Sequence, residues 1–404
     1  MGKRALSDLK VVEYADFISG PYCAKLMADL GAEVIKVEEP GVGDKARRSG
    51  PFLDDIPHPE RSGLFLYLNT NKLGVTLNLR TPAGVKIFKE LIKEADILVE
   101  NNPPSVMKEL GLTYHTLKEI NPRLIMTSIT PFGQSGPYRD YKASDLVSIH
   151  MGGIGYVTPW MVNDPEKEPP LKGGGRQADF LAGVSAALVT MAAVYARQWS
   201  GLGQHIDLSE HEAVACILGR DIAAYSLEKV LWDRTKAPVA GAVSLLPCKD
   251  GYIQLHPRED RQWLQFVEIM GNPEWAKDER FKTAESRSNN WNSLVPLIWE
   301  WTKERTKEEI YHACQAKRIA CGPVNSMDEV FRSPQLEARE FFVEINHPET
   351  GKLRFPRGPY KFSETPWRLA RPAPLLGEHN EEVFSKRLGH SSEELVRMRE
   401  AGII

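Results

Sequence analysis

The 404-residue sequence has no Cys-x-x-Cys pair, no Gly-x-x-x-x-Gly-Lys-Ser/Thr loop and no Gly-x-Ser-x-Gly elbow. Its five cysteines (Cys23, Cys216, Cys248, Cys314 and Cys321) are an odd number. A disulfide framework is therefore a poor reading, and a reducing cytoplasm is the expected setting. After the first apolar run comes Asp16-Phe17-Ile18-Ser19-Gly20-Pro21, with one glycine where a dinucleotide fingerprint needs three. Gly173-Gly174-Gly175 has no strand directly before it, so nicotinamide and ATP sites lack support. The formal charge of -3, from 51 basic and 54 acidic residues, and the lack of a long basic stretch argue against nucleic-acid binding. Residues 1–9 are short and charged and lack the apolar core of a signal peptide. Leu181–Tyr195, the most apolar segment, is too short and Ala-rich for a membrane span and reads as a buried helix. His205 and His211 stand six apart, a spacing that does not place two ligands on one helix face, so no metal is expected.

What is present is an ordinary globular composition, 42% hydrophobic and 26% charged, on a chain long enough for two domains. Strands are predicted at 9–14, 33–38, 75–79, 97–99, 124–128 and 205–208. Helices are predicted from Pro21 to Gly31 and over 82–95, 106–110, 114–120 and 179–197, and one long helix over 210–231. This alternation predicts an α/β fold with a mostly parallel sheet covered on both faces. The texture changes at Pro238–Gly241. The expected division is a large α/β domain begun by residues 1–225, a smaller α+β domain over 226–335, and a segment, 336–404, that leads back. A strand at 252–255 and helices near 261–269, 293–303 and 307–316 fill the insert. The tail holds a strand at 353–355, an extended Pro/Arg segment and two short helices.

Few residues invite chemistry. Lys45, Arg47 and Arg48 form a basic knot, readable as a solvated loop or as a phosphate contact. Cys23 lies near a helix start, where a thiol can be acidified, but among apolar positions, where it is inert. Asp179 stands at the start of the long apolar helix. It reads locally as an N-cap. The same helix terminus would also keep the carboxylate ionised and aimed into a cleft, where it could attack an acyl thioester.

Several segments occur in a recognisable order. They are Gly20-Pro21, then Leu30-Gly31-Ala32-Glu33-Val34-Ile35-Lys36-Val37-Glu38, Asn71-Lys72, Thr81-Pro82-Ala83-Gly84 and Ala95-Asp96-Ile97-Leu98-Val99-Glu100-Asn101. Asn121-Pro122-Arg123-Leu124-Ile125, Phe132-Gly133-Gln134-Ser135-Gly136-Pro137, Gly203-Gln204, Asp207-Leu208-Ser209, Gly322-Pro323-Val324 and Ala373-Pro374-Leu375-Leu376-Gly377-Glu378-His379 follow. From about residue 8 to 380 the chain resembles the family III CoA-transferases, the formyl-CoA and carnitine CoA-transferase group that includes the α-methylacyl-CoA racemases.

That resemblance implies a large Rossmann-like domain completed by both chain ends, a smaller domain inserted between, and two interlocked chains with the active site between large and small domains. It makes Asp179 the nucleophile and coenzyme A a substrate, with no tightly bound cofactor. By position it assigns Ile18, Leu77, Arg80, Asn101, Asn102 and Lys142 to CoA binding, Lys142 as a point charge for phosphate. Glu39 and Glu109 stand where relatives often carry arginine, and Lys108 is the neighbour able to compensate for Glu109. The racemase branch carries a Gly-His-Asp element where this chain has Ala143-Ser144-Asp145, so transferase is favoured over racemase or epimerase. A non-catalytic subunit of a heteromeric transferase is the third reading. The family's glycine-rich lid is reduced to about Ala240-Gly241-Ala242. Met151, Tyr156, Trp160 and Phe180 suggest a bulky or aromatic acid, or are plain core, and the stretch from Gly152-Gly153-x-Gly155-Tyr156 to Asp179 is similar to that of transferases for aromatic succinates such as benzylsuccinate. Lys172 or Arg176 would meet a second carboxylate, and either could equally be a solvated loop residue.

Overall fold

The computed structural model describes residues 4–159, 162, 164–232, 234, 244–257 and 259–404. The proposed entry to the insert, the lid at 240–242 and Trp160 lie outside them. Two compact units emerge. The large one takes the described residues within 1–159, 166–233 and 340–404, and the small one takes Val162, Asp164, Pro165 and the described part of 234–339.

In the large unit, β1 (Lys10–Tyr14), α1 (Ser19–Asp29), β2 (Glu33–Glu38), α2 (Gly63–Leu68), β3 (Lys72–Thr76), α3 (Pro82–Glu94) and β4 (Ile97–Glu100) come first. They are followed by α4 (Pro104–Glu109), α5 (Tyr114–Ile120), β5 (Ile125–Thr130), α6 (Asp145–Met151), α7 (Gln177–Ser200), β6 (His205–Ser209), α8 (Glu210–Cys216) and α9 (Gly219–Glu228). The six strands form one sheet in the order β3-β2-β1-β4-β5-β6, and every pairing is parallel. The order reverses between β1 and β4. At that switch point the crevice beyond the strands' C-terminal ends is where α/β sheets bind ligands.

Both faces are apolar. One packs Val12, Ile35, Val75 and Leu98 against Phe88, Leu91 and Ile92 of α3. The other packs Val11, Val34, Ile97 and Val99 against α1 and α7. Along α7 the buried side is Ala178, Ala182, Ala186 and Ala193. A Cβ on Gly183 would meet the Ser19 carbonyl oxygen at 2.8 Å, so small residues are what let α1 and α7 approach. The helix is long and apolar enough to cross a membrane, yet this face of it is core.

Several predicted elements move. β3 lies at 72–76 rather than 75–79. Lys72 can open a fully buried strand because its ammonium meets Glu13 at 2.7 Å, while Leu77 and Leu79 are buried beyond the strand end. The helix predicted from Pro21 begins at Ser19, with the proline still in its first turn. The single helix at 210–231 is two, broken at Ile217 and Leu218. The basic knot divides: Lys45 and Arg48 are exposed, as a solvated loop would have them, and Arg47 is not. Arg47 is fully buried against Glu38 at 2.7 Å and Glu60 at 2.5 Å, while Lys45 pairs with Asp16 at 2.7 Å.

The small unit holds β7 (Ser244–Cys248), β8 (Gly251–His256), α10 (Asp260–Ile269), α11 (Ala284–Asn289), α12 (Trp291–Thr302), α13 (Lys307–Ala316), β9 (Ala320–Pro323), α14 (Met327–Phe331) and α15 (Pro334–Ala338). Its antiparallel sheet, β7-β8-β9, packs Leu246, Ile253 and Leu255 against Trp263, Phe266, Leu294 and Ile310. Back in the large unit come the hairpin β10 (Phe342–His347) and β11 (Gly351–Pro356), a π-helix at Glu381–Arg387 and α16 (Ser392–Glu400).

This last stretch covers the open edge of β3. The His379 amide donates to the Gly74 carbonyl at 2.9 Å and the Gly74 amide to His379 Nδ1 at 3.1 Å. Asn380 Oδ1 accepts the Thr76 amide at 2.8 Å.

Candidate active site

The turn after β1 is over-determined. Asn101, just past β4, brackets Asp16: its Oδ1 accepts the Asp16 amide at 2.8 Å and its Nδ2 donates to the Asp16 carbonyl at 2.7 Å. Asp44 Oδ1 accepts the Phe17 amide at 2.9 Å, and Asp44 Oδ2 is held by the buried Lys36 ammonium at 2.7 Å. Lys36 also meets Glu13 at 2.8 Å. This buried charge network holds Phe17 at φ 69°, a left-handed conformation costly for a bulky residue and found mainly at functional sites. The Phe17 ring lies under the Arg176 guanidinium, 4.9 Å away.

Beyond this turn opens a cleft of about 270 Å³ lined by Asp16, Phe17, Ile18, Ser19, Asn101, Ile129, Pro131, Ala143, Ser144, Asp145, Arg176, Asp179 and Glu210. Asp179 is not the N-cap of α7. The helix begins at Gln177, so Asp179 is its third residue. The capping acceptor comes from another helix: Asp145 Oδ1 takes the Ala178 amide at 2.7 Å. Lys172 pairs with Asp145 Oδ2 at 2.8 Å and donates to the carbonyls of Gly173 and Gly175, tying the glycine loop to α6.

Asp179 is 8% exposed, and its Oδ2 is buried with no hydrogen-bond partner in the described structure. Burial, then the charges of Glu210 and Asp145, push its carboxyl up to about 7; Arg176 and Lys172 act the other way. Glu210, the first residue of α8, is also buried. Its carboxyl is raised by burial, opposed by hydrogen bonds from Ser19 and Ser148. The Ser148 hydroxyl lies 3.3 Å from Glu210 Oε2.

The predicted site residues separate. Ile18, Asn101 and Asp179 line the cleft. Asn102 donates from Nδ2 to the Tyr14 carbonyl at 3.0 Å, and its amide donates to Glu100 at 2.8 Å. Burial pushes that glutamate up to about 7. Leu77 is core. Arg80, exposed after β3, lies 4.0 Å from Glu39 after β2. Lys108 and Lys142 are exposed, the first in the last turn of α4 and the second before α6. Arg80, Lys108 and Lys142 do not line the cleft.

Sequence reasoning had not given Asp145 or Glu210 a site role. Asp145 enters the sequence reading only as the one residue of Ala143-Ser144-Asp145 that matches Gly-His-Asp, and Glu210 carries no signal there. Ser144 stands where the racemase histidine would be, and His150 is exposed at the far end of α6. Met151 and Tyr156 are about half exposed, and Phe180 packs edge-on against Tyr22 with ring centres 4.8 Å apart. Cys23 is fully buried and its thiol is pushed up to about 12, an inert group. Among the described residues no three His, Cys, Asp or Glu side chains are grouped to hold a metal.

A Rossmann-ordered parallel sheet with a buried aspartate at its switch point defines an α/β enzyme site, and sequence comparison specifies which kind. The chain belongs to CoA-transferase family III, whose sequence model matches residues 6–380. It is 32% identical over 404 residues to succinyl-CoA–D-citramalate CoA-transferase of Chloroflexus aurantiacus, covering 99% of this chain and 98% of that one. It is 35% identical over 380 residues to subunit BbsE of succinyl-CoA:(R)-benzylsuccinate CoA-transferase from Thauera aromatica, covering 90% of each. The crystal structure of a CAIB/BAIF family protein from Brucella suis, 31% identical, superposes with a TM-score of 0.86 over 95% of this chain and 100% of that one. The protein is thus an enzyme whose substrates are acyl-CoA thioesters and carboxylates.

Proposed function

We propose that this enzyme moves CoA from an acyl-CoA donor to a carboxylic acid through covalent intermediates on Asp179. The observation that carries the reading is the Asp179 carboxylate itself. It sits in the first turn of α7, it faces the switch-point cleft, and one oxygen has no hydrogen-bond partner. An Asp179 oxygen attacks the thioester carbonyl, the C–S bond breaks, and the electron pair leaves on CoA sulfur, giving an aspartyl anhydride. The thiolate returns to the Asp179 carbonyl, releasing the donor acid and leaving an aspartyl-CoA thioester. The acceptor carboxylate then forms a second anhydride and CoA thiolate completes the exchange.

CoA binding is assigned to the large unit, with Ile18, Leu77, Asn101 and Asn102 about the strand ends and Arg80, Lys108 and Lys142 as charges for its phosphates. The acid is read as dicarboxylic or aromatic, with succinyl-CoA as donor. The support is that the C. aurantiacus and T. aromatica relatives are named for such acids. Arg176, lining the cleft, is the cation placed to meet a second carboxylate.

A two-chain assembly, of identical chains or with a related subunit, is part of the same reading. Leu188, Tyr195 and Trp199 on α7 and Ile222 and Leu227 on α9 leave large apolar side chains 53–82% exposed, surface that a second chain would cover. Five free cysteines accord with a cytoplasmic setting.

The test is intact-protein mass spectrometry after incubation with succinyl-CoA and other acyl-CoAs, with hydroxylamine trapping, on wild type and Asp179→Ala. A hydroxamate at Asp179 that the variant lacks is the expected result. CoA binding without any adduct would refute the anhydride route.

A further inference from the structure

Three carboxyl groups from three helices, Asp145, Asp179 and Glu210, line one small cleft, and they are not equally compensated. Asp145 has the Lys172 ammonium on one oxygen and the Ala178 amide on the other. Glu210 is 6% exposed, and its partners are the neutral hydroxyls of Ser148 and Ser19; among the described residues no cation pairs with it. Asp179 has one orphan oxygen, and the guanidinium nearest in the cleft, Arg176, is stacked on Phe17. A buried carboxylate without a cation repels its like-charged neighbour strongly, because little water intervenes to screen it.

We propose that Glu210 is a positioning residue acting through Asp179: its buried charge destabilises the free Asp179 anion and so favours the acylated state. The inference rests on Asp179 being the nucleophile. When Asp179 oxygen bonds the thioester carbon and the C–S bond breaks, the negative charge leaves the cleft floor with the CoA sulfur. The repulsion from Glu210 is relieved at that moment and returns when the anhydride is cleaved. A more basic carboxylate is also a stronger nucleophile once ionised. Burial and Asp145 act in the same sense as Glu210, and Lys172 and Arg176 oppose them. The remaining charges on packed elements are matched elsewhere: Asp16 by Lys45, Lys25 of α1 by Asp29, and Asp207 of β6 by the Gln134 amide.

The test is a titration that needs no substrate. Carbodiimide labelling of the intact protein with glycine ethyl ester, read at the Asp179 peptide across pH 4–9 (roughly the range between ordinary and raised carboxyls), reports the protonated fraction. In wild type the midpoint should lie well above the ordinary carboxylate range. In Glu210→Gln, which keeps an acceptor for Ser148, it should fall by about 1 pH unit. Ser148→Ala, which weakens ionisation of Glu210 without altering its side chain, should move it the same way by less. An ordinary wild-type midpoint, or one that neither variant moves, would overturn the proposal. Hydroxylamine trapping with succinyl-CoA on the same proteins should show a lower acylation rate at high pH for Glu210→Gln, about tenfold, with its pH profile displaced downward. If trapping fails in wild type while the midpoints shift as stated, Asp179 is not the nucleophile but Glu210 still acts on it.

Discussion

Asp145 Oδ1 accepts the Ala178 amide at 2.7 Å, so the helix that presents Asp179 is capped from a neighbouring helix 33 residues earlier in the chain. The long helix therefore starts where α6 places it, and the direction of the Asp179 side chain depends on a contact outside its own segment. Asp145→Asn keeps an acceptor but loses the Lys172 ion pair, whereas Asp145→Ala loses both. The alanine variant should be less stable by about 1–2 kcal/mol for the cap alone, the asparagine variant by less. Urea unfolding of the two variants side by side checks this, and equal losses would show that the cap contributes nothing.

Asp179 bears on stability as well as chemistry. Its carboxyl is raised to about 7, above its value in an unfolded chain. Between roughly pH 4 and 7 the unfolded chain gives up this proton while the folded one keeps it, so wild type loses stability as pH rises through that window. Asp179→Asn removes the loss. The variant should match wild type near pH 4 and exceed it above pH 7, by an amount on the order of a few kcal/mol. Unfolding at several pH values reads it directly, and a difference independent of pH would contradict it.

Lys36 is wholly buried between Glu13 and Asp44. Lys36→Met would leave Asp44 without its buried cation and Glu13 with Lys72 alone, and should cost about 3–5 kcal/mol. Because Asp44 also holds the Phe17 amide, the same variant should lose the strained turn. Thermal melts and the accessibility of the 15–18 segment to hydrogen exchange test both effects, and a stable variant with an unchanged turn would refute the linkage.

The Arg80–Glu39 pair at 4.0 Å is exposed, so its worth is small and its release is cheap. Glu39→Gln should tighten CoA binding by up to about fivefold, and Arg80→Gln should weaken it similarly. Calorimetry with CoA and dephospho-CoA distinguishes a phosphate contact from a general charge effect. No change in either variant would remove Arg80 from the CoA site.

Much of the sheet was legible because its strands are short apolar runs between helices of clear period. Lys10–Tyr14 and Glu33–Glu38 lie within a residue of where the pattern put them. The pattern misplaced β3, since periodicity cannot reveal that Lys72 finds Glu13 across the sheet or that Leu77 and Leu79 belong to the core beyond the strand. The outer strands of the small unit, at 244–248 and 320–323, went unseen, having a proline each and little β-branching. Asp179 stood out through resemblance, since locally it looked like a cap. Glu210 and Asp145 did not, because only the packing of α6 and α8 on α7 brings them to it.

The His379–Gly74 contacts join residues 305 apart, across the whole small unit. During synthesis β3 must wait, its edge unpaired, while the insert is made and folds. That delay is a window in which another nascent chain could add a strand. A ribosome-bound fragment ending near residue 370 should thus depend on holdase chaperones, and relapse from them only when the 371–403 stretch emerges to close the sheet.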